Sequence, residues 1–471
     1  MKSLQLYKVA LYHKLVDLRL PCGLLRAVGL WPTGGRPLLY SAYTAWSLLM
    51  LLCSVLGQLA GLRGHWTNLP TVATSVCLAL TTSCTIFKVG LAAGGWRLAG
   101  PRANSALLLQ QRAARGTGVE SRCPADLARP QALVFLRQRR RVDGLVSRVR
   151  ACAAAFSPLR TASRAAMLRE ARRRALLMFC VFFGIGAVAL SLFYAGPALQ
   201  NLQDAEVLAS AAGNGTSERH LGRNLPMLIW WYGGQPVRTP YYQLSYALIC
   251  YWFMLIYLST STLDAFYVTL IIYLSSQLKM LNAALADTVQ LPGRGEAATV
   301  ADRRSAASGA RHGDYRRLVQ CVLFHQEIIK SVEEMESLLS PSVLAQFATS
   351  TLVICFTAFA VMTSTKRQEM PAYATYLATM FYELFMYCWY GDELLEQSDA
   401  LRLSAYSCAW PGAGGRFQRS LCILMARVQR PLCLTAANLY KISRQTFLVL
   451  LKGSYTYFAL LHQMNDRQHI A

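Results

Sequence analysis

The chain alternates long apolar stretches with long polar ones, and the apolar stretches have membrane length. Seven stand out, at residues 38–62, 70–92, 175–196, 242–274, 343–365, 372–390 and 446–464. A helix needs about 20 predominantly apolar residues to cross a bilayer, and each stretch supplies them. The fourth is too long for one crossing, so its second half is expected to continue as a helix into water. Residues 315–340 have helical periodicity and lead into the fifth. The stretches 116–129 and 292–313 are rich in Gly, Pro, Ser and Arg and read as mobile connections. The pattern predicts an all-α, polytopic seven-transmembrane helical protein, folded as one membrane domain over residues 1–471. The last stretch has a polar stripe. Thr456, Leu460 and Gln463 stand at i, i+4 and i+7 and so share one helix face, as suits a helix packed around water or around symmetry mates.

Composition agrees. Only 15% of residues are charged, against about 25% in soluble domains. The net charge of +24 reads as topology rather than nucleic-acid binding, because the basic residues are concentrated in particular loops. Residues 97–174 hold 18 Arg and Lys against four Asp and Glu, and residues 1–37 hold six basic residues and Asp17, whereas 197–241 holds three of each sign. The positive-inside rule then predicts a cytosolic N-terminal segment (1–37), basic loop (97–174), loop and helix (275–342) and segment before the last helix (391–445). The 197–241 loop and the C-terminus fall outside. The basic loop is expected to lie against anionic lipid. Residues 1–16 set Leu4, Val9, Leu11 and Leu15 among three lysines, which suits either the inner leaflet or ordinary packing.

Two observations bear on this topology. The one Asn-x-Ser/Thr sequon, at Asn214, lies in the loop placed outside. None of the 14 cysteines falls in a predicted outer loop, so no structural disulfide is expected.

Enzyme signatures are absent: there is no GxSxG, no P-loop, no HExxH and no Cys/His cluster at zinc spacing. No catalytic residue, cofactor or metal is predicted. Asp392, Glu393 and Glu396 read as partners for neighbouring basic helices, and His325 as structural. Charges inside spans are costly. Lys88 is expected to snorkel towards an interface, Asp264 to face the bundle hydrogen-bonded, and Lys452 to point sideways. Aromatic residues gather in the outer halves of spans three, four and six: Phe193 and Tyr194; Tyr241, Tyr242, Tyr246, Tyr251 and Phe253; Tyr373 and Tyr376. They suit either an interfacial aromatic belt or a pocket for a small, mostly apolar ligand. Tyr241 and Tyr242 fit the belt better, and Tyr376 the pocket.

The C-terminal half resembles the insect odorant receptors. The similarity is carried by CWYGDELLEQSDALRLSAYSCAW at 388–410 and NLYKISRQTFLVLLKGSYTYFALLHQM at 438–464, with support from 262–285 and 318–347. It implies a ligand-gated, non-selective cation channel subunit in the plasma membrane of olfactory sensory neuron dendrites. It also implies a tetramer with a shared coreceptor subunit, activated by small volatile odorants. By position, Leu460 becomes the hydrophobic gate, with Thr456 and Gln463 also lining the pore. The odorant pocket falls on Leu78 and Thr82 of span two, Leu190 and Tyr194 of span three, Tyr246, Cys250 and Phe253 of span four, and Tyr373, Tyr376 and Thr379 of span six. The short loop between spans four and five suits a tuning subunit rather than the coreceptor. The 97–174 loop is longer and more Arg-rich than the family pattern.

Other classes fit less well. A gustatory receptor of the same superfamily would have Gln-Phe where Gln463-Met464 stands, without the interruption at His462. A G-protein-coupled receptor would have NPxxY, and Asp302-Arg303-Arg304 lies in a loop rather than at the end of span three. An intramembrane enzyme would need a catalytic pair.

Overall fold

The computed structural model describes residues 37–62, 69–92, 141–142, 144–152, 156, 161–211, 225–226, 241–288, 300–363, 369–408 and 410–470. These residues are almost wholly helical. In chain order they form α1 (Pro37–Gly61), α2 (Leu69–Ala92), α3 (Thr161–Ala211), α4 (Tyr241–Ala286), α5 (Val300–Thr363), α6 (Met370–Ser407) and α7 (Gly415–Val428). A small antiparallel hairpin, β1 (Thr435–Ala436) and β2 (Tyr440–Lys441), then leads into α8 (Arg444–Ile470). The N-terminal segment, most of the basic loop and Asn214 lie outside the described residues.

Each apolar stretch falls on its own helix, α1 to α6 and α8. Among the described residues, four helical segments are long and apolar enough to cross a membrane: Val72–Leu91, Ala162–Gln203, Tyr241–Ala286 and Gly313–Thr363, with Ala45–Gly61 a shorter apolar helix. The stretch in α6 holds five tyrosines, and that in α8 holds Lys452, His462 and Gln463. These polar groups suit helices with a partner on one side.

At 51, 46 and 64 residues, α3, α4 and α5 outrun any bilayer. The first half of α5 shows where local and cumulative propensity differ. The helix begins at Val300, inside the stretch expected to be mobile. Pro292, Gly293 and Gly295 precede it, while Gly309 and Gly313 lie within it. A glycine inside a helix costs about 1 kcal/mol, which a helix this long tolerates.

The core is centred on α4. From Ser261 to Leu278 every residue of this helix is buried, because α2, α3, α5 and α6 all pack against it. A helix buried on all sides needs no amphipathic stripe, and its polar residues, among them Thr262, Asp264, Thr269 and Gln277, are buried with the rest. By contrast α7 buries Phe417, Leu421, Leu424 and Val428, one face at helical spacing, against α5 and α6.

The hairpin fixes the start of α8. Ala437 and Asn438 have φ of 50° and 59°, the left-handed region. Three hydrogen bonds hold the segment: Leu432 N to Ser398 Oγ (2.7 Å), Thr435 Oγ1 to Glu336 Oε1 (2.5 Å) and Ala437 N to Ser340 Oγ (2.6 Å). Ser443 then caps α8, its Oγ accepting from Thr446 N at 3.3 Å. Close by, Gly391 of α6 meets Ile442; a Cβ there would lie 2.6 Å from Ile442 Cγ2.

His325 is 3% exposed on the first half of α5, ahead of the apolar stretch at 343–365. Burial, helped by the charge on Arg427, lowers its pKa to about 4. The unfolded chain gains this proton below about pH 6.5 and the folded chain only near pH 4. Stability is therefore complete at neutral pH and falls as pH drops through that window, by about 2–3 kcal/mol for this residue. Thermal unfolding in detergent between pH 7.5 and 5 should show the loss, and His325→Leu should flatten it.

Candidate functional site

A cavity of about 100 Å³ lies among α2, α3, α4 and α6. Its size approaches that of engineered apolar cavities that admit benzene. Of the residues expected to form a pocket, Leu78, Thr82, Leu190, Phe253, Tyr376 and Thr379 line it. Phe182, Phe193, Ile256 and Met380 complete the apolar wall. The Phe193 ring meets Tyr376 edge-on at 6.0 Å and Phe253 at 6.0 Å.

The other four expected residues do not border the cavity. Tyr194, Tyr246 and Cys250 form a hydrogen-bonded group that ties α3 to α4. Tyr194 donates to the Cys250 carbonyl at 2.7 Å, and Tyr246 donates to the Tyr194 carbonyl. Tyr373 sits a turn away, with its ring against Phe193 at 6.1 Å and its hydroxyl 3.3 Å from Glu369 Oε2.

Gly186 of α3 allows Tyr257 of α4 to approach, since a Cβ there would overlap the ring. The Tyr257 hydroxyl donates to the Phe183 carbonyl at 2.7 Å. Gly186 and Tyr257 both line the cavity, so this contact sets its width.

Beneath the cavity sits a buried charge cluster. Lys88, Asp264 and Glu383 are 2%, 0% and 1% exposed. Lys88 Nζ lies 2.7 and 2.8 Å from the two Asp264 oxygens and 3.2 Å from Glu383 Oε1. Tyr387 donates to Asp264 Oδ1 at 2.7 Å. Lys88 therefore does not snorkel: its charge is met inside the bundle. Asp264 faces the bundle and is hydrogen-bonded, as its place on α4 suggested. Glu383, also a cavity residue, drew no attention in the sequence. The signal was available, since it is the one acidic residue in the 372–390 stretch.

The acidic run that ends the apolar part of α6 also finds cationic partners. Glu393 pairs with Arg174 of α3 at 2.8 Å and with Lys279 of α4. Asp392 and Glu396 both pair with Arg444, the first residue of α8, at 3.0 Å. The Arg444 guanidinium also lies 4.4 Å over the Trp389 ring. One end of α6 thus walls the cavity while the other holds the root of α8.

Helix α8 packs against α5 and α6 on one side only. Thr456, Leu460 and Gln463 all lie on its exposed surface, with Leu460 54% exposed. Lys452 is exposed too. Among the described residues, no group of three or more His, Cys, Asp or Glu side chains is placed to hold a metal ion.

These features define a polytopic helical membrane protein with a small, mostly apolar cavity inside its bundle. The family model described as 7tm Odorant receptor matches residues 131–455, and the chain belongs to that family. It is 27% identical over 243 residues to odorant receptor Or2 of Anopheles gambiae, covering 52% of this chain and 62% of that protein. It is 32% identical over 149 residues to odorant receptor 85c of Drosophila melanogaster, covering 32% of this chain and 38% of that one. The matched stretches thus span less than two thirds of these relatives. The insect olfactory receptor OR5 of Machilis hrabei, solved in complex with eugenol, shares the fold. Its TM-score is 0.68 at 14% identity, over 97% of this chain and 99% of that one.

Removing Lys88 strands two carboxyls in the core. Lys88→Met should cost about 3–5 kcal/mol and sharply reduce surface expression and thermal stability in detergent. Adding Asp264→Asn and Glu383→Gln should recover part of that loss.

Proposed function

We propose that the chain is an odorant receptor that acts as a ligand-gated, non-selective cation channel subunit in the plasma membrane of olfactory sensory neuron dendrites. The reading has seven spans, α1 to α6 and α8, with a cytosolic N-terminus and an extracellular C-terminus. Asn214 then lies outside, open to glycosylation, and the 97–174 loop meets anionic lipid inside. A small volatile odorant occupies the cavity. The chain serves as the tuning subunit and pairs with a coreceptor subunit in a tetramer, with α8 of each subunit lining the pore for permeating cations. Leu460 supplies the ring that dewets when closed, next to Thr456 and Gln463.

The observation that carries this reading is the double role of α6. Tyr376, Thr379 and Glu383 border the cavity, and Asp392 and Glu396 hold Arg444 of α8. A ligand that fits the cavity better when α6 is shifted would favour an altered position of α8. This requires tighter binding to the open state than to the closed one. The exposed apolar and polar face of α8 supports its use as an interface and pore wall, since it has no partner within the described chain.

Expression with and without an insect coreceptor, under whole-cell recording with a panel of volatiles, tests the reading. The expected result is a fast inward current, independent of G proteins, that needs both subunits. A response to soluble tastants without the coreceptor would instead place the chain with gustatory receptors. Leu460→Ser should raise basal current in the paired channel, and unchanged basal current and gating would refute the pore assignment.

A further inference from the structure

Beside the cavity, carboxyls outnumber the cation that holds them. One cation, Lys88, meets two carboxyls. Asp264 takes both short contacts from Lys88, at 2.7 and 2.8 Å, and the Tyr387 hydroxyl as well. Glu383 receives one longer contact from Lys88, at 3.2 Å, and shares a side-chain hydrogen bond with Asp264. Of the two carboxyls only Glu383 borders the cavity. The carboxyl that Lys88 holds less closely is therefore the one a ligand can reach.

The cavity hydroxyls point the same way, because most of their protons are already engaged. Thr82 donates to the Leu78 carbonyl at 2.7 Å, Thr379 to the Thr375 carbonyl at 2.9 Å and Tyr257 to the Phe183 carbonyl at 2.7 Å. Thr81 donates to the Cys77 carbonyl, so its 2.6 Å contact with Tyr376 uses the tyrosine proton. What these groups still offer is oxygen lone pairs. A wall whose hydroxyl protons are, Ser261 apart, already engaged discriminates by what it leaves unpaired. A ligand with a donor satisfies it, whereas an isostere without one buries those acceptors unmet.

We propose that Glu383 is a specificity-determining residue of this cavity. It accepts a hydrogen bond from the ligand head group, so the site selects small apolar molecules bearing an O–H or N–H over isosteres that lack one. The inference rests on the receptor reading above and adds the ligand class to it.

The test is a dose–response series on the full chain co-expressed with a coreceptor. The probes are matched sets: benzyl alcohol, benzylamine and benzyl methyl ether, with 1-hexanol, hexylamine and hexyl methyl ether. The expected result is that within a set the alcohol or the amine activates at about tenfold lower concentration than the ether, the size of one hydrogen bond. The two donor arms separate a hydroxyl ligand from an amine. Glu383→Leu, which leaves Lys88 and Asp264 as a balanced pair, should bring donor and ether to similar potency. Glu383→Gln, the closest isostere, should narrow the gap less. Ether currents through each variant report that it folds and gates. Equal potency of donor and ether in the parent chain overturns the inference while the receptor reading stands, and so does a donor preference unchanged in either variant. Silence of the parent chain to this series and to the wider panel of volatiles overturns the receptor reading and the inference with it.

Discussion

The contact on which the rest of this bundle depends is the one between Lys88 and its two carboxyls. A charge inside a membrane bundle is tolerated only when it is paired and hydrogen-bonded. Here the pairing joins three helices, because Lys88 lies on α2, Asp264 on α4 and Glu383 on α6. An apolar core of Leu, Val and Phe can slide by a fraction of a turn at little cost. An ion cluster with contacts of 2.7 to 3.2 Å cannot. It pins the rotation and height of α2 and α6 against the buried α4. The cavity above inherits its shape from that registration, since Thr82, Phe253 and Tyr376 come from the same three helices.

From this pinned centre, α6 extends in two directions with different chemistry. Towards Met370 it presents aromatic and hydroxyl groups to the cavity. Towards Ser407 it becomes acidic and engages cations from α3, α4 and α8. The two ends differ in the strength of their neighbours as well. The apolar end packs in a buried core, while Arg444 is 43% exposed at its side chain. Ion pairs at that exposure are worth little individually, and the Arg444 contacts can exchange without disrupting the core.

Much of this was legible in the sequence, for physical reasons. Apolar runs of membrane length can form little but helices, so the seven helices followed from hydropathy. Asp264 was readable as a hydrogen-bonded bundle residue because a lone acid in a run such as TLDAFYVTL has no other tolerable place. The partner of Lys88 was not readable, because pairing across 176 residues depends on helix rotation that no periodicity encodes. The pocket was legible by helix and less so by residue. Thr82, Phe253 and Tyr376 point inward. Tyr194 and Tyr246, on the same helices as cavity residues, turn their hydroxyls to backbone carbonyls instead. One residue of helical rotation is about 100°, enough to move an aromatic ring from a cavity wall to a helix seam. The stretch at 292–313 misled for a different reason: from Val300 on, its local breakers are outweighed by the length of helix they interrupt.

The one-sided packing of α8 gives that helix the mechanics of a cantilever. Its root is clamped by Arg444, the Ser443 cap and the hairpin. Among its described side chains the last buried one is Ser454, and Leu460 lies beyond it. Sixteen residues separate Arg444 from Leu460, about 24 Å along a helix. A tilt of about 5° at the root would carry that leucine about 2 Å sideways. A movement at the clamp of only a few tenths of an ångström is thereby magnified at the free end with no change in the helix itself.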